Sequence, residues 1–144
     1  MGFEKFGKFG YVSQTKVASI ISFLEKDQLP ATCCRKCKTL HFPPRADCQH
    51  CRSNSLDWVP LEGNCTLVTF TEVHFAPPQF QAEAPYVLGL AELNESLRVF
   101  APVDPKLDRK MLKSGMKLVL RVTHGAGDSL FYQLESVKLP RTRK

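Results

Sequence analysis

Two matched pairs of cysteines carry the chemistry legible in this chain: Cys34-Arg35-Lys36-Cys37 and Cys48-Gln49-His50-Cys51, separated by ten residues. Each Cys-x-x-Cys sets two thiolates on one side of a tight turn, and two facing turns supply the four sulfurs that a tetrahedral zinc ion takes. A closed four-thiolate set keeps no open position for water or substrate. One ion held by Cys34, Cys37, Cys48 and Cys51 is therefore expected to fold the chain and do no chemistry. His41 and His50 lie in the same stretch, but four matched cysteines leave them no vacancy. Cys33 could compete by register slip, yet Cys33 to Cys37 lacks the knuckle spacing. A redox role for either pair needs a βαβ setting that the flanking sequence does not supply. Nothing at residues 1–10 resembles a secretory apolar stretch, so the six cysteines are expected as metal ligands and reduced thiols of a cytoplasmic protein. Cys65 reads as a small apolar residue.

The remaining chain points to a binding module. No phosphate-binding glycine loop or dinucleotide pattern is present, and His74 and His124 have no nearby serine or cysteine at a spacing that argues for a nucleophile and its base. No run of about 18 apolar residues is available to span a bilayer. The net charge is +6 over 144 residues, unevenly spread. Lys and Arg outnumber Asp and Glu by 5 to 2 over residues 31–58 and by 4 to 0 over 138–144, whereas residues 59–137 carry 7 against 9. A basic knuckle suits an anionic ligand. A slightly acidic C-terminal part argues against a nucleic-acid surface of that size.

The elements that must position the cysteines follow from periodicity. Phe3, Phe6, Phe9 and Tyr11 form a glycine-rich aromatic arm that could dock on a partner or pack back on its own domain. Val17, Ile20, Ile21 and Leu24 at helical spacing behind Ser13 or Thr15 predict a helix over 15–27, ended by Pro30. The helix and arm (1–30) lead into a ribbon (31–60), in which Phe42-Pro43-Pro44-Arg45 is a stiff link that projects Arg45. Trp58 and Pro60 close that unit. Strands are predicted over 66–74, 86–93, 97–103, 116–123 and 130–139, with Leu67, Thr69, Thr71 and Val73 on one face of the first. The proline-rich break from Ala76 to Pro85 is expected to be irregular, and a short helix is expected at 105–113 behind Asp104-Pro105. Five strands in this order match the Greek-key barrel of the OB-fold over 61–139, leaving a basic tail at 140–144. The fold class is thus mainly β: an N-terminal helix, a rubredoxin-like zinc ribbon and a C-terminal five-stranded OB-fold barrel.

The combination of Cys34 to Cys51 around Phe42-Pro43-Pro44-Arg45, Trp58, Ala84-Pro85-Tyr86-Val87 and Gly115-Met116 resembles the zinc-ribbon/OB-fold acyl-CoA-associated family catalogued as domain of unknown function thirty-five. The resemblance runs from about Val17 to Leu139. It departs at Lys38 and Arg52, where the family usually has glycine and the turn favours positive φ. It implies a small partner subunit of thiolases and of hydroxymethylglutaryl-CoA-synthase-like enzymes, in a hetero-oligomer. The chain would be non-catalytic by itself, with thiolytic cleavage or condensation of a β-ketoacyl-CoA carried out on the larger partner. In that setting Arg35, Lys36, Lys38, Arg45 and Arg52 would meet the phosphates of coenzyme A or an acidic patch on the partner. Phe80 and Tyr86, in the Phe75-to-Tyr86 loop, would flank the apolar pantetheine and acyl part. Two rival readings are a nucleic-acid-binding zinc-ribbon/OB module and a self-sufficient acyl-CoA hydrolase, for which the catalytic group is missing from the sequence pattern.

Overall fold

The computed structural model describes Lys5, residues 15–93 and residues 97–137. The aromatic arm, apart from Lys5, and the basic tail lie outside the described residues. Contacts divide the chain into two compact units, Met1–Glu62 with Val122–Phe131, and Gly63–Arg121 with Tyr132–Lys144.

In the first unit the expected helix contracts to α1 (Ile20–Leu24). The N–H groups of Ala18, Ile20 and Ile21 donate three residues back, at 3.0, 3.0 and 3.2 Å, before Glu25 N–H reaches the Ile21 carbonyl at 2.9 Å. The entry is thus 3-10 in character, and the α-helical part is one turn. Asp27, not Pro30, ends it. With φ at 60°, Asp27 donates to the Leu24 carbonyl at 2.9 Å while Gln28 donates to the Phe23 carbonyl at 3.0 Å, the paired bonds of a Schellman closure. Ile20, Ile21 and Leu24 face inward, as the apolar stripe predicts.

Pro30 lies inside β1 (Leu29–Cys34), the centre of a three-stranded antiparallel sheet with β2 (Leu40–His41) on one side and β3 (Leu56–Leu61) on the other. Pro30 faces Pro60 across β1 and β3. Arg35 N–H donates to the Ser55 carbonyl at the end of this ladder, so hydrogen-bonded pairs recur at every second residue and the two prolines fall at a position that needs no donor. Trp58 pairs with Thr32 across the sheet and its ring meets Phe23 at 5.2 Å between centroids, which ties the helix to the ribbon.

The second sheet is a nearly closed five-stranded barrel, built from β4 (Asn64–Val73), β5 (Tyr86–Leu93), β6 (Arg98–Pro102), β7 (Lys117–His124) and β8 (Leu130–Ser136) in the order β6-β5-β4-β7-β8. A parallel bridge between Val103 and Leu134 brings its two edges together, supported by Asp104 N–H on the Leu134 carbonyl at 2.9 Å. This is the OB strand order expected from the spacing of the five strand signals. Gly89 sits where the closure is tightest. A Cβ there would lie 2.8 Å from Leu134 Cδ1, 3.0 Å from Leu67 Cδ1 and 3.3 Å from Val103 Cγ2.

Three local expectations are corrected. The alternation along β4 stops at Leu67, because a bulge at Val68 shifts the register between Leu67 and Thr69. Beyond it β4 pairs only with β5, its pairing with β7 being confined to Asn64, Cys65 and Thr66, and Thr69 and Thr71 are exposed. The proline-rich loop is not irregular throughout, since Pro78–Glu83 form a 3-10 helix with Pro78 at its start, where no N–H is needed. The helix expected at 105–113 is one 3-10 turn, Arg109–Met111, capped by Asp108, whose side chain accepts from Lys110 N–H at 3.0 Å.

Candidate functional site

The two cysteine pairs fold as copies of one turn. Lys38 N–H donates to the Cys34 carbonyl at 2.9 Å and Arg52 N–H to the Cys48 carbonyl at 2.8 Å. The first cysteine of each turn then donates to the carbonyl five residues on, Cys34 N–H to the Thr39 carbonyl at 2.9 Å and Cys48 N–H to the Ser53 carbonyl at 2.8 Å. Both turns end on a left-handed residue, Lys38 at φ 60° and Arg52 at φ 59°. The backbone therefore takes the conformation that favours glycine, and the two long cations adopt it at a steric cost.

The repeat brings four sulfurs to one point. Cys34 and Cys48 are buried, Cys37 and Cys51 half-buried, and all four Sγ atoms lie within 4.8 Å of one another. Cys34 is 3.5 Å from Cys51 and Cys37 is 3.4 Å from Cys48. A regular tetrahedron with Zn–S bonds of about 2.3 Å has edges of about 3.8 Å, so the sulfurs are close to the spacing that zinc requires. The donor set fits a structural zinc ion. Cys33, with its Sγ directed at the Lys38 carbonyl at 3.7 Å, is outside the cluster.

The surroundings prepare the sulfurs for a cation. Thr39 Oγ1, 3.1 Å from Cys37 Sγ, together with the Thr39 N–H, brings the Cys37 thiol down to about 5. The Cys37 N–H likewise holds the Cys34 thiol below its ordinary value, against the effect of burial. At Cys51 the Ser53 N–H works in the same direction, but burial and the three neighbouring sulfurs outweigh it and push the thiol up to about 12. Four sulfurs this close cannot all ionise without a cation among them. Buried His41, whose pKa burial and Arg45 lower from its ordinary value, puts Nε2 3.4 Å from Cys48 Sγ. It is an outer partner of a sulfur, as is His50, whose side chain bonds Cys37 and also lowers that thiol; the sequence spacing marked neither histidine for this role.

The basic residues divide. Arg35 is held by Asp57, its Nε 2.8 and 2.9 Å from the two carboxylate oxygens, and the guanidinium in turn holds the Asp57 carboxyl below its ordinary range. Lys36, Lys38, Arg45 and Arg52 are exposed and make no ion pair among the described residues. Arg45 is fixed through its backbone, N–H to Thr32 Oγ1 at 3.0 Å, at the end of the link whose Phe42–Pro43 peptide is cis.

In the barrel unit, Phe80 and Tyr86 come together with ring centroids 6.4 Å apart and planes tilted by 54°. Arg109, which sequence reasoning did not single out, bonds both Glu72 and the Pro85 carbonyl and so ties the turn after β6 to both ends of this loop. Its partners lie 37 and 24 residues away in sequence, beyond the reach of a local pattern. Cys65 is buried, and burial pushes its thiol up to about 11, as expected of an inert apolar position. His74 approaches Glu72 at 3.6 Å, and His124 meets Asp27 at 3.1 Å. No helix among the described residues is long and apolar enough to cross a membrane.

Known proteins share both halves of this arrangement. The family described as "ChsH2, rubredoxin-like zinc ribbon domain" matches residues 24–57, and "ChsH2, C-terminal OB-fold domain" matches residues 58–123. A "DUF35 domain-containing scaffold protein" of Methanocaldococcus jannaschii is 33% identical over 97 residues, covering 66% of this chain and 69% of that protein. The "Benzoylsuccinyl-CoA thiolase subunit BbsA" of Geobacter metallireducens is 28% identical over 97 residues, covering 67% of this chain and 64% of that one. Among solved structures, an "Ltp2-ChsH2(DUF35) aldolase" chain superposes with a TM-score of 0.73 at 26% identity, over 88% of this chain and 98% of the other. With the paired cysteine turns and the OB strand order already in place, these similarities settle the lineage: the chain belongs to the DUF35 family of zinc-ribbon/OB-fold proteins.

Proposed function

We propose that this chain is the small, non-catalytic subunit of a thiolase-type acyl-CoA complex. Its zinc ribbon and barrel would dock on a larger subunit that carries the catalytic residues. The observation that carries the reading is the similarity to BbsA, a thiolase subunit, across both the ribbon and the barrel. In this reading Cys34, Cys37, Cys48 and Cys51 hold one structural zinc ion. Lys36, Lys38, Arg45 and Arg52, exposed and without ion pairs in the described structure, offer charge-assisted bonds to the phosphates of coenzyme A. Arg35 contributes less, because Asp57 already takes its fork. Phe80 and Tyr86 supply an apolar wall for the acyl or pantetheine part.

The reaction assigned to the complex is thiolysis of a β-ketoacyl-CoA. The sulfur of free CoA bonds to the keto carbon, the carbon–carbon bond breaks, and the departing enolate takes a proton, giving two acyl-CoA products. The likeness to an aldolase chain favours a second reading, in which the partner breaks a carbon–carbon bond without consuming free CoA. Purification of the full chain from its source, with mass spectrometry of what accompanies it, tests the first claim. A stoichiometric thiolase-like subunit is expected. Salt-sensitive oligonucleotide binding with no such companion would overturn it in favour of a nucleic-acid module.

A further inference from the structure

Among the described residues the exposed large apolar side chains gather on the barrel: Val68, Phe70, Phe75, Phe100, Met111 and Val137 all belong to that unit. Several share one face. Burial alternates strictly along β5, with Val87, Gly89, Ala91 and Leu93 inward and Tyr86, Leu88, Leu90 and Glu92 outward. The pairing then sets Phe100 beside Leu90, Pro102 beside Leu88, and Val73 beside Tyr86 on the outer face. Two residues beyond Val73 stands Phe75, 99% exposed, with Phe100 60% exposed. A buried aromatic side chain covers roughly 150–250 Å², so these two together leave on the order of 300 Å² of apolar surface in water, with the outward Tyr86, Leu88 and Leu90 of β5 set between them on the same face.

We propose that Phe75 is the anchor by which the barrel docks on its catalytic subunit, entering an apolar pocket of that protein, with Phe100 and the outer face of β5 and β6 extending the contact. The inference rests on the subunit reading above. Three observations fit this occupant. First, an aromatic side chain has only two rotatable angles to immobilise, and the segment behind Phe75 is braced by the 3-10 helix Pro78–Glu83, by the bond from Phe80 N–H to the Pro77 carbonyl at 2.8 Å, and by Arg109 bonding Glu72 and the Pro85 carbonyl. A braced aromatic is what binding hot spots use. Second, the charges bordering the face are satisfied internally, Arg98 by Glu92 at 3.4 Å and Arg109 by Glu72, which leaves this border little to offer a polyanion. Third, residues 59–137 carry 9 acidic against 7 basic residues, so nucleic acid and anionic lipid are disfavoured and an uncharged apolar pocket is complementary.

The test is the affinity of the purified full-length, zinc-loaded chain for the catalytic subunit recovered from the native complex, measured by titration calorimetry. Phe75 makes no packing contribution that its removal would forfeit, so Phe75→Ala is expected to fold and unfold as wild type. It should weaken the complex by about 30-fold or more, the loss typical of a hot spot. Phe75→Trp should retain binding, and Phe100→Ala should weaken it by several-fold. Wild-type affinity for Phe75→Ala within about twofold, with the complex otherwise formed, overturns the anchor while leaving the subunit reading intact. Loss of self-association in Phe75→Ala with unchanged hetero-complex affinity also overturns it, by assigning the face to a second copy of the chain. If the wild-type chain has no catalytic companion, the subunit reading fails and the anchor falls with it.

Discussion

Replacing Cys37 by serine tests the ribbon at one of its two half-buried zinc-ligand cysteines. Cys37 is half-buried, its sulfur 3.4 Å from Cys48 and 3.1 Å from the Thr39 hydroxyl. The substitution therefore removes one thiolate with little change in packing. The consequence is disproportionate because the unit has a small core of its own, built on Ile20, Ile21, Leu24, Ala31 and Phe42, and a ribbon of roughly 30 residues is below the size that ordinarily folds without a metal or a disulfide. Bound structural zinc contributes about 10–16 kcal/mol at neutral pH in zinc-finger peptides, as much as a whole domain's usual margin of about 5–15 kcal/mol. Losing even a third of that leaves the ribbon at or below its folding threshold. The chain's single tryptophan, Trp58, lies on β3 against Phe23, so its fluorescence reports on the ribbon. Cys37→Ser is expected to lower zinc content well below one ion per chain and to give an unfolded-type Trp58 emission without added denaturant. Chelation of the wild type should do the same. Full zinc occupancy with an unchanged Trp58 unfolding midpoint would refute the structural-metal reasoning.

Three further outcomes follow from particular residues. Gly89→Ala places a methyl among Leu134, Leu67 and Val103 at the barrel closure. The neighbours are side-chain ends that can yield, so a loss of about 1–3 kcal/mol is expected by urea denaturation, whereas the same change at an exposed strand position would be nearly silent. Lys38→Gly and Arg52→Gly relieve a left-handed penalty of about 1 kcal/mol, partly offset by the extra unfolded freedom of glycine, about 0.5–1 kcal/mol. Each should leave stability unchanged or slightly higher, while Lys38→Val should lower it, as read from the Trp58 melting curve. Asp57 titrates below its ordinary value because Arg35 is bonded to it. The stability this pair contributes is present above the unfolded carboxyl value of about 3.9 and is lost as pH falls through the lower folded value. Arg35→Gln should raise the Asp57 pKa seen by NMR titration and move acid unfolding of the ribbon to higher pH.

What could be read from the sequence was whatever local spacing controls. The four cysteines followed from two Cys-x-x-Cys repeats, and the barrel strands from alternation, each within a few residues of its observed span. The left-handed turns at Lys38 and Arg52 followed from the family resemblance, which places glycine at both positions. The misses share one cause, competition from tertiary structure or from local chemistry with no apolar period. Helix α1 is short because an αL Asp27 closes it two residues before Leu29 must enter the sheet, and aspartate reads as an ordinary helix-end charge. The Val68 bulge sits within an unbroken run of β-formers, which gives no warning of a register shift. Asp57 as partner of Arg35, 22 residues away, and His41 as partner of Cys48 across the β2 edge depend on the fold being already formed. The extent of the Phe75 exposure likewise depends on how β4 outruns β7.

The central claim, that the chain serves a carbon–carbon bond-cleaving acyl-CoA enzyme as a structural subunit, is tested most directly by reconstitution. The zinc-loaded chain and its co-purified large subunit would be assayed separately and together on a β-ketoacyl-CoA, with and without free CoA, by mass spectrometry of the acyl-CoA products. The account predicts no turnover by the small chain alone and CoA-dependent formation of two acyl-CoA products by the pair. Turnover by the small chain alone, or a large subunit whose activity and substrate affinity are indifferent to its presence, would contradict it.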